Sequence, residues 1–102
     1  MLSGKQRAFL RSMANTMDAI FQVGHNGIGE QLIRQVDETL AVRELIKLRV
    51  LETSPVSARE AADTIAAAVN ADVVQVIGYR FVLYRPAKEP KIVLPKVKKR
   101  AQ

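Results

Sequence analysis

At 102 residues the chain has the size of one small domain, and its 48% apolar and 25% charged content is that of a folded soluble protein, far from the composition of disorder. With no cysteine and a single histidine, His25, it offers no disulfide, no zinc ribbon, no thiolate nucleophile and no histidine pair for catalysis. Sixteen Lys and Arg against ten Asp and Glu leave a formal charge of +6, a field that attracts polyanions. Six of those cations and one acid lie in residues 88–102, so the preceding body is nearly neutral and must attract anions through local patches. No apolar run approaches the ~20 residues that span a bilayer, and the amino-terminal stretch lacks the apolar core of a signal peptide. Lys5, Arg7 and Arg11 precede the first acid, Asp18, as in an organellar leader, but the same segment reads as a folded helix. The expectation is a soluble, cytoplasmic protein.

Ser3 and Gln6 have capping-box spacing, and Phe9, Leu10 and Met13 follow on one helical face, giving a first helix over about residues 4–15. Ala19 to Val23 alternates as a short strand and ends in the turn Gly24-His25-Asn26-Gly27. From Ile28, the positions Ile28, Leu32, Ile33, Val36 and Leu40 form one face of a second helix; Arg34 lies opposite between Glu30 and Glu38, placed for surface ion pairs. Glu44 to Leu51 alternates as a strand with Ile46, Leu48 and Val50 inward and Lys47 and Arg49 on the other side. Ser54-Pro55, or the capping box Ser57 to Glu60, opens an alanine-rich third helix with a buried stripe of Ala58, Ala61, Ala62, Ile65 and Val69. Val73 to Ile77 and Arg80 to Arg85 are strands joined by Gly78-Tyr79, a pair suited to a type II′ hairpin turn, and Pro86 stops the last. The order α-β-α-β-α-β-β describes an α/β sandwich of two or three layers on a four-stranded mixed sheet. Residues 1–87 form the domain, and residues 88–102, with Pro90, Pro95 and most of the surplus lysines, read as an extended, weakly ordered basic arm that Ile92-Val93-Leu94 docks transiently.

Gly24-His25-Asn26-Gly27 joins a strand to a helix, where main-chain N–H groups are unpaired and the helix dipole favours an anion. Two glycines let a phosphodiester chain come close, and Asn26 serves as N-cap or polar contact; the alternative is an ordinary turn that needs positive φ. Arg7, Arg11, Lys47 and Arg49 are the basic groups expected nearby, lacking local acidic partners and suited to phosphate, though each also fits a solvated charged face. Tyr84 shares a strand face with Arg80 and is placed either to stack on a base or, as the better reading, to pack; Phe81 belongs to the core side. His25 has no second ligand or carboxylate beside it, so no metal or general base is expected, and no Walker, dinucleotide or serine-elbow motif occurs. No cofactor, small-molecule substrate or enzymatic activity is expected.

Taken in order, Val23-Gly24-His25-Asn26-Gly27-Ile28, Glu44 to Val50, Val74 to Gly78 and Phe81 to Pro86 resemble the CRM-domain proteins, specifically their small bacterial YhbY-like members, over Lys5 to Pro95. The resemblance implies an α/β fold similar to the C-terminal domain of translation initiation factor three. It also implies RNA binding through the GxxG loop and nearby cations, and association with precursors of the large ribosomal subunit. Carried onto this chain, the loop is Gly24, His25, Asn26 and Gly27, with Arg7, Arg11, Lys47 and Arg49 as flanking contacts. A strand precedes this GxxG, whereas KH domains place theirs between two helices. The expected function is that of a monomeric, non-enzymatic factor for ribosome biogenesis, binding ribosomal RNA; the alternatives are a duplex-DNA architectural protein and a protein-docking module with a basic arm.

Overall fold

Two reciprocal serine caps set the helical frame. In the computed structural model, which describes residues 2–96, Ser3 Oγ accepts from the Gln6 N–H at 3.1 Å and Gln6 returns its side-chain oxygen to the Ser3 N–H, opening α1 (Gly4–Ala14). Ser57 and Glu60 repeat the exchange at the start of α3 (Ala58–Val69), so of the two openings considered the capping box is used, and Ser54 instead braces Val56. Such caps contribute about 1 kcal/mol each. Asn70, left-handed at φ 57°, ends α3.

The strands are β1 (Ala19–Val23), β2 (Leu45–Val50), β3 (Asp72–Ile77) and β4 (Arg80–Tyr84), in the sheet order β1-β2-β4-β3. β1 runs parallel to β2, and the other pairings are antiparallel. Gly78 alone of the hairpin pair has positive φ, at 57°, as a II′ turn requires. The helix α2 (Glu30–Arg43) begins two residues later than the apolar pattern from Ile28 suggests. β2 begins one residue later than expected because Glu44 takes φ 68° at the end of α2 and cannot continue a strand.

The result is a three-layer sandwich. Val36 and Leu40 of α2 and Ala61, Ala62 and Ile65 of α3 pack on Ile46, Leu48, Phe81 and Leu83, all fully buried, and alanines let α3 approach the sheet closely. On the opposite face, Leu10 and Ala14 of α1 cover Leu45, Val74, Val82 and Tyr84. The aromatic weighed for base stacking is therefore packed, with Tyr84 only 3% exposed.

Glu44 holds the segment after β4. Its carboxylate is buried and accepts from the main-chain N–H of Ala87 (3.0 Å), Lys91 (2.7 Å) and Ile92 (3.0 Å), while its carbonyl accepts from Arg85 (2.9 Å). Burial is the largest single influence on this group and raises its pKa. The three amides and the Lys91 charge together outweigh that and leave it below the ordinary 4.5. Ile92 and Leu94 pack against the α1 layer, and Gln6 Nε2 donates to the Pro95 carbonyl at 3.2 Å. The first half of the expected weakly ordered arm is thus fastened to the domain, because a buried carboxylate must find donors and an exposed Ile-Val-Leu run gains by covering apolar surface. Residues 97–102 of the arm lie outside the described residues.

Candidate nucleic-acid interface

At the end of the sheet where β1 and β2 finish, Gly24 to Gly27 form a tight turn closed by the Gly27 N–H donating to the Gly24 carbonyl at 2.9 Å. Gly27 carries the strain at φ 71°, and a Cβ there would lie 3.2 Å from Pro55 Cγ. Gly24 has no such requirement: its φ is outside the left-handed region and a Cβ would make an ordinary 3.7 Å contact with Leu51 Cδ1. His25 and Asn26 are exposed at the tip, and among the described residues no group accepts a hydrogen bond from either of their amides.

The turn does not open α2 directly. Ile28 dips into the core and Gly29, in extended conformation, is the N-cap, so Asn26 does not cap the helix. Glu30 already places a carboxylate in the first helical turn. An anion-binding role at this corner therefore rests on the exposed turn amides and on nearby cations rather than on the helix dipole.

Those cations come from the sheet. Residues directly opposite on paired strands share a face, and the register sets Gln22 beside Arg49, Arg49 beside Arg80, and Arg80 beside Ile77. This row crosses all four strands on the α1 side, but α1 covers only the other half of that face, over Leu45, Val74, Val82 and Tyr84. The uncovered half carries Arg49 and Arg80, both exposed, and half-buried Lys47, opposite Val82, stands at its border. Arg49 donates from Nε and Nη2 to Gln22 Oε1 (3.3 and 3.1 Å), a neutral partner that orients the guanidinium and leaves its charge uncompensated. A shallow cavity of about 520 Å³ lies beside it, bordered by Met17, Asp18, Ile20, Phe21, Arg49 and Arg80, with Asp18 the acid on its rim.

The expected flanking residues divide. Arg49 stands on the uncovered face beside Gln22, two residues before the turn, whereas Lys47, half-buried, lies opposite Ala19 at the far end of β1 and beside the covered Val82. Arg7 instead donates to the carbonyl of Val73, at the opposite end of β3 from the hairpin, where it ties α1 to the sheet. Arg11, half-buried one turn further along α1, makes no ion pair among the described residues. Arg34 likewise forms neither expected pair; the ion pairs among the described residues are Arg59 with Asp63 (3.3 Å) and Arg85 with Asp37 (2.6 Å). Arg59 with Asp63 is itself an exposed i,i+4 pair, so that spacing permits an ion pair without requiring one, as expected of contacts that contribute only a few tenths of a kcal/mol. Arg85 also donates to the carbonyls of Val69 and Asp37, so it braces α2 against α3 and is not available to a ligand.

Arg80 was not among the sequence candidates. Its place beside Arg49 follows only from β4 inserting between β2 and β3, which no local pattern announces. No cluster of metal-ligating side chains occurs among the described residues, and no helix among them is long and apolar enough to cross a membrane.

Residues 2–85, which span all three helices and all four strands, match the model of the CRS1 / YhbY (CRM) domain. The chain belongs to the CRM family. It is 43% identical over 96 residues to Bacillus subtilis YqeI, named a probable RNA-binding protein, covering 93% of this chain and all of that one. It is 35% identical to a Haemophilus influenzae protein named RNA-binding protein, over 93% of this chain and 96% of the other. A solved Staphylococcus aureus structure, 47% identical, superposes with a TM-score of 0.78 over 93% of this chain and all of that chain. The helix-flanked mixed sheet is therefore a fold shared with that protein.

Proposed function

We propose that this CRM domain binds RNA, gripping the phosphate backbone with the amides of the Gly24–Gly27 turn and the side chains of Lys47, Arg49 and Arg80, and that it acts as a cytoplasmic, monomeric assembly factor on ribosomal RNA of large-subunit precursors. The observation that carries the reading is the row Gln22-Arg49-Arg80: two arginines directly opposed across a strand pair, beside an exposed two-glycine turn, on a half-face that no helix covers. Like charges so opposed disfavour the free protein, and a polyanion offsets that cost on binding. The names of the relatives support RNA as the polyanion, and the family resemblance directs it to precursors of the large subunit. The domain so proposed comprises residues 1–87, with the segment from 88 onward adding cations.

Ultraviolet crosslinking in cells, followed by sequencing of the attached nucleic acid, tests this directly. Enrichment of large-subunit precursor RNA is expected. Enrichment of messenger RNA would remove the assembly role, and recovery of duplex DNA or of protein partners alone would remove RNA binding. In vitro, neutralising about five phosphates gives a slope of log K against log salt on the order of −4, whereas a flat response refutes a phosphate grip.

A further inference from the structure

Tyr79 lies at the same sheet end and has no part in the phosphate grip. It is the second residue of the β3–β4 turn and is 60% exposed, yet its backbone is held: its carbonyl accepts from the Val50 N–H at 2.6 Å, and Gly78 supplies the left-handed bend before it. An aromatic ring is thus displayed from a two-residue turn that loses little further freedom on binding. The next residue, Arg80, pairs across the sheet with Arg49 on one side and with Ile77, 63% exposed, on the other. With Tyr84 packed under α1, Tyr79 is the one of the chain's two tyrosines whose ring is open to a ligand.

The geometry points to a seat for an unpaired nucleotide, in which Arg49 and Arg80 take the phosphates flanking it and Tyr79 stacks on its base. This rests on the RNA-binding reading and deepens it. Exposed aromatic and apolar side chains beside uncompensated guanidinium groups are what single-stranded nucleic acid recognises: the cations track the backbone and a ring accepts any base face. A-form duplex does not satisfy the arrangement, because its bases are stacked on one another and only backbone and groove edges are offered. The substrate class is therefore structured RNA with a bulged or single-stranded nucleotide at this end of the footprint.

Two probes on the full chain separate the possibilities: a blunt RNA duplex, and the same duplex interrupted by a three-uridine bulge. Tyr79→Ala is expected to weaken binding of the bulged RNA on the order of tenfold, the loss typical of one stacked base, and to leave the blunt duplex within about twofold. Tyr79→Phe keeps the ring and restores bulged-RNA affinity, and the tyrosine emission quenched by bulged RNA in the parent is lost in Tyr79→Ala. Because the side chain is exposed, the melting temperature serves as a control and stays unchanged. Equal loss on both RNAs, no loss on either, or failure of Tyr79→Phe to rescue overturns the stacking seat. If the parent protein binds neither RNA, it is the RNA reading itself that fails. If the parent binds both alike and ignores Tyr79→Ala, only this inference does.

Discussion

Replacing Gly24 separates the fold from the binding site. Its φ is permitted to any residue and the space for a Cβ is occupied only by an ordinary contact to Leu51, 3.7 Å away. Gly24→Ala then mainly reduces the freedom of the unfolded chain, which stabilises by about 0.4–1 kcal/mol. For a domain of this size that is a rise in melting temperature of roughly 2–8 °C. Gly27→Ala is the contrasting change. At φ 71°, with Pro55 Cγ 3.2 Å from the new Cβ, it forces a left-handed alanine against a ring, and a cost of about 1–2 kcal/mol lowers the melting temperature instead.

Gly24→Asp carries the functional half of the experiment. A carboxylate held about 6 Å from a bound phosphate, at an effective dielectric between ~20 and ~80, repels it by about 1–3 kcal/mol. RNA affinity should therefore fall by about tenfold or more at low salt, and the loss should shrink as salt screens it, while the protein remains folded. Fluorescence anisotropy against a structured ribosomal RNA fragment at two salt concentrations, with calorimetry in parallel, supplies both numbers. A folded Gly24→Asp protein that binds as the parent does refutes the cradle at this turn. A Gly24→Ala protein that melts early refutes the steric argument beneath it.

Glu44→Gln should lower the melting temperature by about 10 °C or more, since an amide cannot accept from all three main-chain donors as the carboxylate does. Because the folded pKa of Glu44 is depressed, its stabilisation is complete above the ordinary 4.5 and is lost as pH falls through the lower folded value, so acid should narrow the gap between parent and variant. Tyr84 has the opposite sign: burial first, then the charges of Glu44 and Asp72, raise its pKa above 10.0, and calorimetry should show stability contributed below that pH being lost as alkali ionises the buried phenol. Arg49→Gln and Arg80→Gln should each reduce the salt slope of RNA binding by about one, whereas Arg7→Gln should lower the melting temperature and leave the slope alone, since Arg7 is engaged by the Val73 carbonyl. Truncation after Lys96 removes Lys98, Lys99 and Arg100 and should weaken binding chiefly at low salt; truncation after Ala87 also strips two donors from Glu44 and should lower the melting temperature.

What the sequence reveals and what it hides divide by distance along the chain. The caps at Ser3 and Ser57, the hairpin at Gly78 and the inward face of β2 are decided within a few residues, and each is legible. Three features are not. Glu44 reads only as the opening residue of a strand, because the donors that make it a buried anchor lie 43–48 residues away. Asp37 is claimed by Arg85 across the fold, while Arg34, its neighbour on the helix, forms no ion pair among the described residues. The Arg49-Arg80 pairing exists only because β4 enters the sheet between β2 and β3.

The last of these bears on function. A type II′ turn puts β4 beside β3 whatever follows, but it leaves open which strand takes β4's other edge. Had β3 taken the place beside β2, the uncovered half-face would present an apolar residue such as Ile77 next to Arg49, and Arg80 would stand at the sheet edge. With β4 inside, two arginines converge next to the glycine turn, and the hairpin turn that carries Tyr79 is drawn by its hydrogen bond to Val50 toward the same corner. Neither arginine has a carboxylate partner among the described residues, so the arrangement costs the free protein stability, and in the proposed function a bound polyanion offsets that cost. A hydrophobic residue in place of Arg80 should therefore make the domain more stable and a poorer ligand for RNA, whereas an arginine pair that serves only the fold would show the two properties moving together.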